Sequence, residues 1–129
     1  IASEKLQCGE GVPFCKNFDE LDKITAKNIA ESAKSGDKAA LTVYDICAEK
    51  LGAGLSILID ILNPEKIVIG SIFERSGELM REKMQQIIEK EALFYARNVC
   101  EIVPAKLGDS IGDWAAIAVA ADVFEKNNR

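Results

Sequence analysis

Apolar and polar positions follow different rhythms along this chain. Residues 1–23 hold no sustained period. Gly9, Gly11 and Pro13 interrupt them, and Phe14, Phe18 and Leu21 are isolated apolar positions able to dock on a core. The stretch reads as irregular, with at most a turn of helix near 18–23. A helical period starts after Thr25, a residue with N-cap chemistry. Ala26, Ile29, Ala30 and Ala33 share one face, and Ser35-Gly36 ends the pattern. Asp37 caps a longer one. Ala40, Tyr44, Cys47, Leu51, Leu55, Leu58 and Leu62 recur at spacings that predict a helix of about seven turns. From Leu51 this helix is apolar almost all round, so its second half is expected to be buried. Gly52 and Gly54 each cost about 1 kcal/mol relative to alanine there. A close approach to a ligand would explain them; tight helix–sheet packing explains them more simply.

The stretch from Leu62 to Ser71 changes the grammar. Asn63-Pro64 stops the helix, because proline lacks an N–H and disfavours a helical residue before it. Ile67-Val68-Ile69 is a β-branched run suited to a strand buried on both faces. Gly70-Ser71 follows at its carboxyl end, where ligands bind in open α/β sheets. Another helical pattern begins near Ser76 and runs through Leu79, Met80, Met84, Ile87 and Ile88, with a charged opposite face. Residues 92–96 are ambiguous. Cys100-Glu101-Ile102-Val103-Pro104 reads as a short strand ended by proline, and Leu107-Gly108-Asp109 as a turn. Asp109 or Ser110 caps a last helix whose core face is Trp114, Ile117, Ala121 and Phe124. About four helices and two strands leave a sheet too narrow to stand alone, so a further segment or a second copy is expected to complete it.

Composition removes several function classes. The chain has 129 residues, enough for one domain with a core, and a net charge of −5, which argues against a nucleic-acid surface. The most apolar run, 55–62, is short and contains Asp60, so no membrane span is expected. There is no histidine, which excludes Ser-His and Cys-His catalytic pairs within the chain. The four cysteines are Cys8, Cys15, Cys47 and Cys100. Cys47 and Cys100 sit in apolar patterns, where a thiol behaves as a small hydrophobe. This usage suits a reducing, cytoplasmic setting. The chain starts at Ile1 rather than Met, without a signal-peptide pattern, and reads as part of a larger product, or a processed or trimmed one.

Three motifs in order carry a resemblance. Leu51-Gly52-Ala53-Gly54-Leu55, then Leu62-Asn63-Pro64-Glu65-Lys66-Ile67-Val68-Ile69-Gly70, then Val103-Pro104-Ala105-Lys106-Leu107-Gly108-Asp109 resemble the C-terminal half of ROK proteins, which are sugar kinases and repressors. Thr25 to Leu41 also fits, and the resemblance spans about residues 24–122. It implies an α/β fold: the C-terminal part of an actin/hexokinase-like (ribonuclease H-like) domain, helix-rich with a small, incomplete sheet. Residues 1–23 are then an irregular N-terminal segment. Residues 24–129 are the ROK-like C-terminal lobe, with strands at 66–69 and 100–103 and a final helix at 110–125.

The resemblance also implies a function. The chain would be the C-terminal lobe of an ATP-dependent sugar (hexose) kinase, with Gly70 and Ser71 on the adenosine side of the nucleotide. ATP and Mg²⁺ are implied for the full-length protein and not for this chain alone. The family usually has a second glycine where Ser71 stands, and Ile72-Phe73 is bulkier than the usual turn, which threatens the pocket. No Asp-Gly-Gly-Thr-like phosphate turn and no catalytic aspartate are found, so no catalytic residue is assigned. Asp60, Asp109 and Asp113 qualify by residue type only, and Asp109 reads as an N-cap. Cys8 and Cys15 faintly resemble the family's zinc motif, but two cysteines without histidine cannot complete four-coordinate zinc, so no metal site is assigned. The implied partners are the N-terminal lobe of the same protein, a second copy in a homodimer, and a sugar. A sugar-sensing, dimerising domain of a ROK-type repressor and a non-enzymatic α/β assembly module are the alternatives.

Overall fold

Two capping residues set the helical half of the molecule. In the computed structural model, which describes the backbone of residues 1–127 and all side chains there except those of Asp109, Glu125 and Asn127, Thr25 opens a helix with a reciprocal box. Its Oγ1 accepts from the Asn28 N–H at 3.3 Å, and the Asn28 side chain accepts from the Thr25 N–H at 2.9 Å. Asp37 accepts from the Ala40 N–H at 2.8 Å and starts the longest helix. Asn63, left-handed at φ 43°, closes it.

The elements run α1 (Ala2–Gln7), a 3-10 turn (Phe18–Lys23), α2 (Ala26–Lys34), α3 (Lys38–Leu62), β1 (Lys66–Ile69), α4 (Ile72–Ser76), a 3-10 turn (Gly77–Leu79), α5 (Arg81–Glu91), α6 (Phe94–Val99), β2 (Glu101–Pro104), a 3-10 turn (Gly108–Ser110) and α7 (Ile111–Asn127). α1 forms where the sequence shows no period. It is a six-residue helix without a buried side chain, so it leaves no amphipathic trace. Between it and the first 3-10 turn, Val12 and Cys15 form an antiparallel bridge and both are buried. The ambiguous stretch after α5 turns sharply at Ala92 and enters α6.

β1 and β2 pair in parallel, with Lys66 opposite Glu101, Ile67 opposite Ile102, Val68 opposite Val103 and Ile69 opposite Pro104. The Ala105 N–H to Ile69 carbonyl bond, 2.9 Å, continues the ladder past the proline. Lys66 Nζ bridges Glu101 Oε2 at 2.8 Å across the two strands. Ile67, Ile69 and Ile102 pack toward the core, and Val68 is exposed on the other face. The strand is thus covered on one face only, not on both.

The core lies between α3 and α5. Ile59, Met84 and Ile88 are almost completely buried, and Tyr44, Ala48, Leu55, Phe73 and Met80 surround them. Each large side chain buried this way contributes about 1.5–3 kcal/mol. Gly52 explains how close the two helices come. A Cβ there would stand 2.8 Å from both Ile87 Cβ and the Met84 carbonyl oxygen. The tight packing is therefore helix against helix rather than helix against sheet, and Gly54 faces open space.

The buried face of α3 departs from the predicted stripe. It runs Ala40, Tyr44, Ala48, Gly52, Leu55, Ser56 and Ile59, while Cys47, Leu58 and Leu62 are exposed. The second half of α3 is not buried all round: Ile57, Ile61 and Leu62 also face outward. The same holds for α7. Its expected core face is open, with Trp114, Ile117 and Phe124 all more than half exposed. A helix apolar on every side prefers burial on every side, and the described residues cover only one side of α3 and little of α7.

Candidate functional site

The loops that leave the carboxyl ends of β1 and β2 lie side by side, which is where a parallel sheet offers a ligand site. Gly70 and Ser71 follow β1; Ala105 to Gly108 follow β2. A Cβ added to Gly70 would meet only Ala105 Cβ, at 3.7 Å, an ordinary contact. Its φ is not among the positive ones, so neither space nor backbone inside the chain demands glycine there. Ser71 is the opposite case. At φ 57° and ψ −123° it holds a conformation that glycine adopts freely and that costs a side-chain-bearing residue about 1–3 kcal/mol.

The bulk of Ile72-Phe73 does not fall where the sequence suggested. Phe73 turns into the core, 4% exposed, with the Arg81 guanidinium 5.6 Å above its ring. Ile72 stays at the surface and lines a cavity of about 410 Å³ between α2 and α4. Ala26, Ala30 and Ile72 make its apolar part, and Lys27, Glu31, Lys34 and Arg75 its charged part. Lys34 Nζ is paired with Glu78 Oε1 at 2.9 Å. A smaller apolar cavity of about 120 Å³, which also touches Ala26 and Ile72, continues inward to Tyr44, Cys47 and Met80.

These cavity residues were missed because only the apolar stripe of α2 was followed. Lys27, Glu31 and Lys34 stand three and four residues apart, a helical face of their own, and that spacing was the available signal. Ala26 and Ala30, two members of the α2 stripe, line the cavity, and Ala30 also packs against the core. In the turn after β2, Gly108 has φ +54° and lies against the Glu74 carboxylate.

The candidate acids do not converge. Asp60 accepts from the Leu93 N–H at 2.8 Å and so ties α3 to the residue that precedes α6. Asp113 is exposed in the first turn of α7, and the Asp109 side chain lies outside the described residues. All four cysteines are free thiols. Cys8 and Cys47 are exposed, Cys15 is buried, and burial raises the Cys100 pKa above the usual thiol value. Among the described residues no three His, Cys, Asp or Glu side chains group as a metal site, and no helix is long and apolar enough to cross a membrane.

Comparison with known proteins follows the same outline. The sequence profile of the ROK family matches residues 4–123, so the match starts well before residue 24, where the resemblance was expected to begin. A glucokinase of Halalkalibacterium halodurans is 34% identical over 112 residues, covering 87% of this chain and 34% of the relative. A xylose repressor of Caldicellulosiruptor bescii is 31% identical over 93 residues, covering 72% of this chain and 23% of the relative. The crystal structure of a ROK family transcriptional regulator, a homologue of the Escherichia coli MLC protein, superposes with a TM-score of 0.66 at 25% identity, over 80% of this chain and 25% of that one. The fold is therefore an α/β lobe of the sugar kinase and repressor type, helix-rich with a small parallel sheet. The chain belongs to the ROK family. It spans 23% of the xylose repressor and 34% of the glucokinase, well under half of either relative.

Proposed function

We infer that this chain is the C-terminal lobe of an ATP-dependent sugar (hexose) kinase and contributes the adenosine side of the nucleotide site. The observation that carries this reading is Gly70. It stands at the carboxyl end of β1, and nothing among the described residues fills the space beside it beyond Ala105 Cβ at 3.7 Å, which leaves its backbone open to close approach by a ligand. Adenosine would lie along Gly70-Ser71, with the apolar surface of Ala26, Ala30 and Ile72 available to its base. Phosphoryl transfer also needs a base for the sugar hydroxyl and Mg²⁺ on the phosphates. Those groups are assigned to an N-terminal lobe of the same protein, the first partner of the exposed faces of α3 and α7. A second copy is the other partner, and the setting is the cytoplasm.

The test is calorimetry with ATP·Mg²⁺ on the two-lobed protein, alongside its Gly70→Ala variant. The substitution should leave stability unchanged, because its methyl group meets only Ala105 at 3.7 Å. It should weaken nucleotide binding several-fold. Equal affinity in both proteins would remove Gly70 from the site. ADP release with glucose, fructose, mannose or N-acetylhexosamines is expected from the two-lobed protein and not from this chain.

One observation favours a second reading, the sugar-sensing, dimerising domain of a repressor. The xylose repressor matches at 31% identity, almost as well as the glucokinase. Ser71 also fits it, since strain at the adenosine turn matters less where no ATP is used. A phosphate turn and catalytic aspartate in the preceding sequence would favour the kinase; a helix-turn-helix would favour the repressor. A third reading, a non-enzymatic assembly module, predicts no nucleotide binding at all.

A further inference from the structure

The two strands also have an amino end. α3 stops at Leu62 just before β1, and α6 stops at Val99 just before β2. Because the strands are parallel, Asn63 and Val99 stand at the same end of the sheet, opposite Gly70. There α6 and the end of α3 line a cavity of about 700 Å³ with Asp60, Asn63, Leu93, Phe94, Tyr95 and Val99. Leu93, Phe94, Tyr95 and Val99 are all more than half exposed, Tyr95 at 85%. Phe94 and Tyr95 meet edge to face with ring centroids 5.5 Å apart, and the Arg97 guanidinium stands 5.4 Å from the Phe94 centroid. The rings are thus braced before anything docks on them. Asp60 Oδ1 takes the Leu93 N–H, and among the described residues neither Asp60 nor Arg97 has an ion pair.

A single surface leucine is ordinary, but a contiguous apolar patch marks an interaction site. The lobe assigned above to the nucleotide site stands at the carboxyl end of the strands, so a different body covers this end. The four apolar side chains offer roughly 500 Å², against a standard half-interface of about 800 Å² of which a little over half is apolar. Charge selects the occupant. At a net charge of −5 most of the surface of one copy repels another. This face instead carries one acid and one base, each without an ion pair. Across a two-fold axis such a face meets itself, so Arg97 of one copy faces Asp60 of the other, and the reverse. We propose that the face made by α6 and the end of α3 is an isologous interface between two copies, in which Tyr95 enters the cavity of the facing copy. This rests on the second copy already named as a partner, and it adds where that copy binds. Tyrosine and arginine are residue types in which binding energy concentrates.

The test is sedimentation of the two-lobed protein over a range of concentrations, unaltered and as its Tyr95→Ala, Arg97→Glu and Phe18→Ala variants. Tyr95→Ala should weaken the dimer about thirtyfold or more, as loss of a central aromatic anchor does. Arg97→Glu should weaken it about tenfold or more, because acids then face each other across the axis. Phe18→Ala removes an exposed ring in the first 3-10 turn and should leave the dimer unchanged. Hydrogen exchange adds a readout that needs no variant: the amides of residues 93–99 should gain protection as concentration rises through the dimer constant. A dimer that Tyr95→Ala and Arg97→Glu leave intact, or one without protection at 93–99, would overturn the proposal and leave the second-copy reading standing. An equal loss in Phe18→Ala would also overturn it, as adhesion without a defined face. A monomer at every concentration would overturn both readings and leave the nucleotide site untouched.

Discussion

α3 carries two apolar faces that look alike in sequence and fare oppositely in the fold. Ile59 is 1% exposed and packs against α5; Ile61, two residues later, is 73% exposed. α7 repeats the lesson on a larger scale: its described side chains are exposed along the whole helix, although Ile, Val, Ala, Phe and Trp dominate it. The contrast teaches that an apolar pattern states a requirement for cover without naming the cover. Where Met84 and Ile88 supply it, the requirement is met within the chain. Elsewhere it is left as exposed apolar surface of the kind that marks an interaction site.

Breaking the contrast at its strongest point gives the largest effect. Ile59→Ala should destabilise the chain by about 2–5 kcal/mol, whereas Ile61→Ala should change it by less than about 0.5 kcal/mol. Urea unfolding of the two variants measures both, and equal losses would mean that the exposed face is already covered in solution. The two glycines of α3 sharpen the same comparison. Gly52→Ala forces a methyl group against Ile87 and the Met84 carbonyl and should cost about 1–3 kcal/mol. Gly54→Ala meets nothing within 4 Å and should stabilise by about 1 kcal/mol through helix propensity. Two stabilising results would show that α3 and α5 sit further apart.

Ser71→Gly comes next. Relief of a positive φ should stabilise the fold by about 0.5–1 kcal/mol, read as a rise in melting temperature. A loss instead would mean that the serine side chain holds the turn.

The smallest effect is the exposed pair across the strands. The hydrogen bond and charge of Glu101 raise the Lys66 pKa above its ordinary value of 10.5. A raised lysine contributes stability that is fully present below the unfolded pKa and is lost as pH rises through the folded one. Lys66→Met should therefore be slightly less stable than the unaltered chain near neutrality, with the difference closing in strongly alkaline solution. A constant difference across that range would remove the ion pair as its cause.

The candidate site was legible in part. Gly70 stood out because a glycine after a β-branched run is a local signal, and local signals survive in a single sequence. The inward turn of Phe73 did not stand out, since it depends on space beneath α4 and on Arg81 closing over the ring. Glu74 and Gly108 are 34 positions apart and meet only because β1 and β2 lie side by side in one register. Lys27 and Glu31 come to line a cavity only through the position of α4.

What the sequence determined by itself was chemistry that acts over a few residues: the caps at Thr25 and Asp37, the stop at Asn63-Pro64, the β-branched strand and the glycine after it. What only the tertiary structure decided was which apolar face found a partner, why Gly52 differs from Gly54, and which charges line one cavity. The physical reason is range. Capping bonds and backbone sterics close within one turn of chain. Burial, close approach and electrostatic neighbourhood depend on elements that the sequence keeps far apart and the fold brings together.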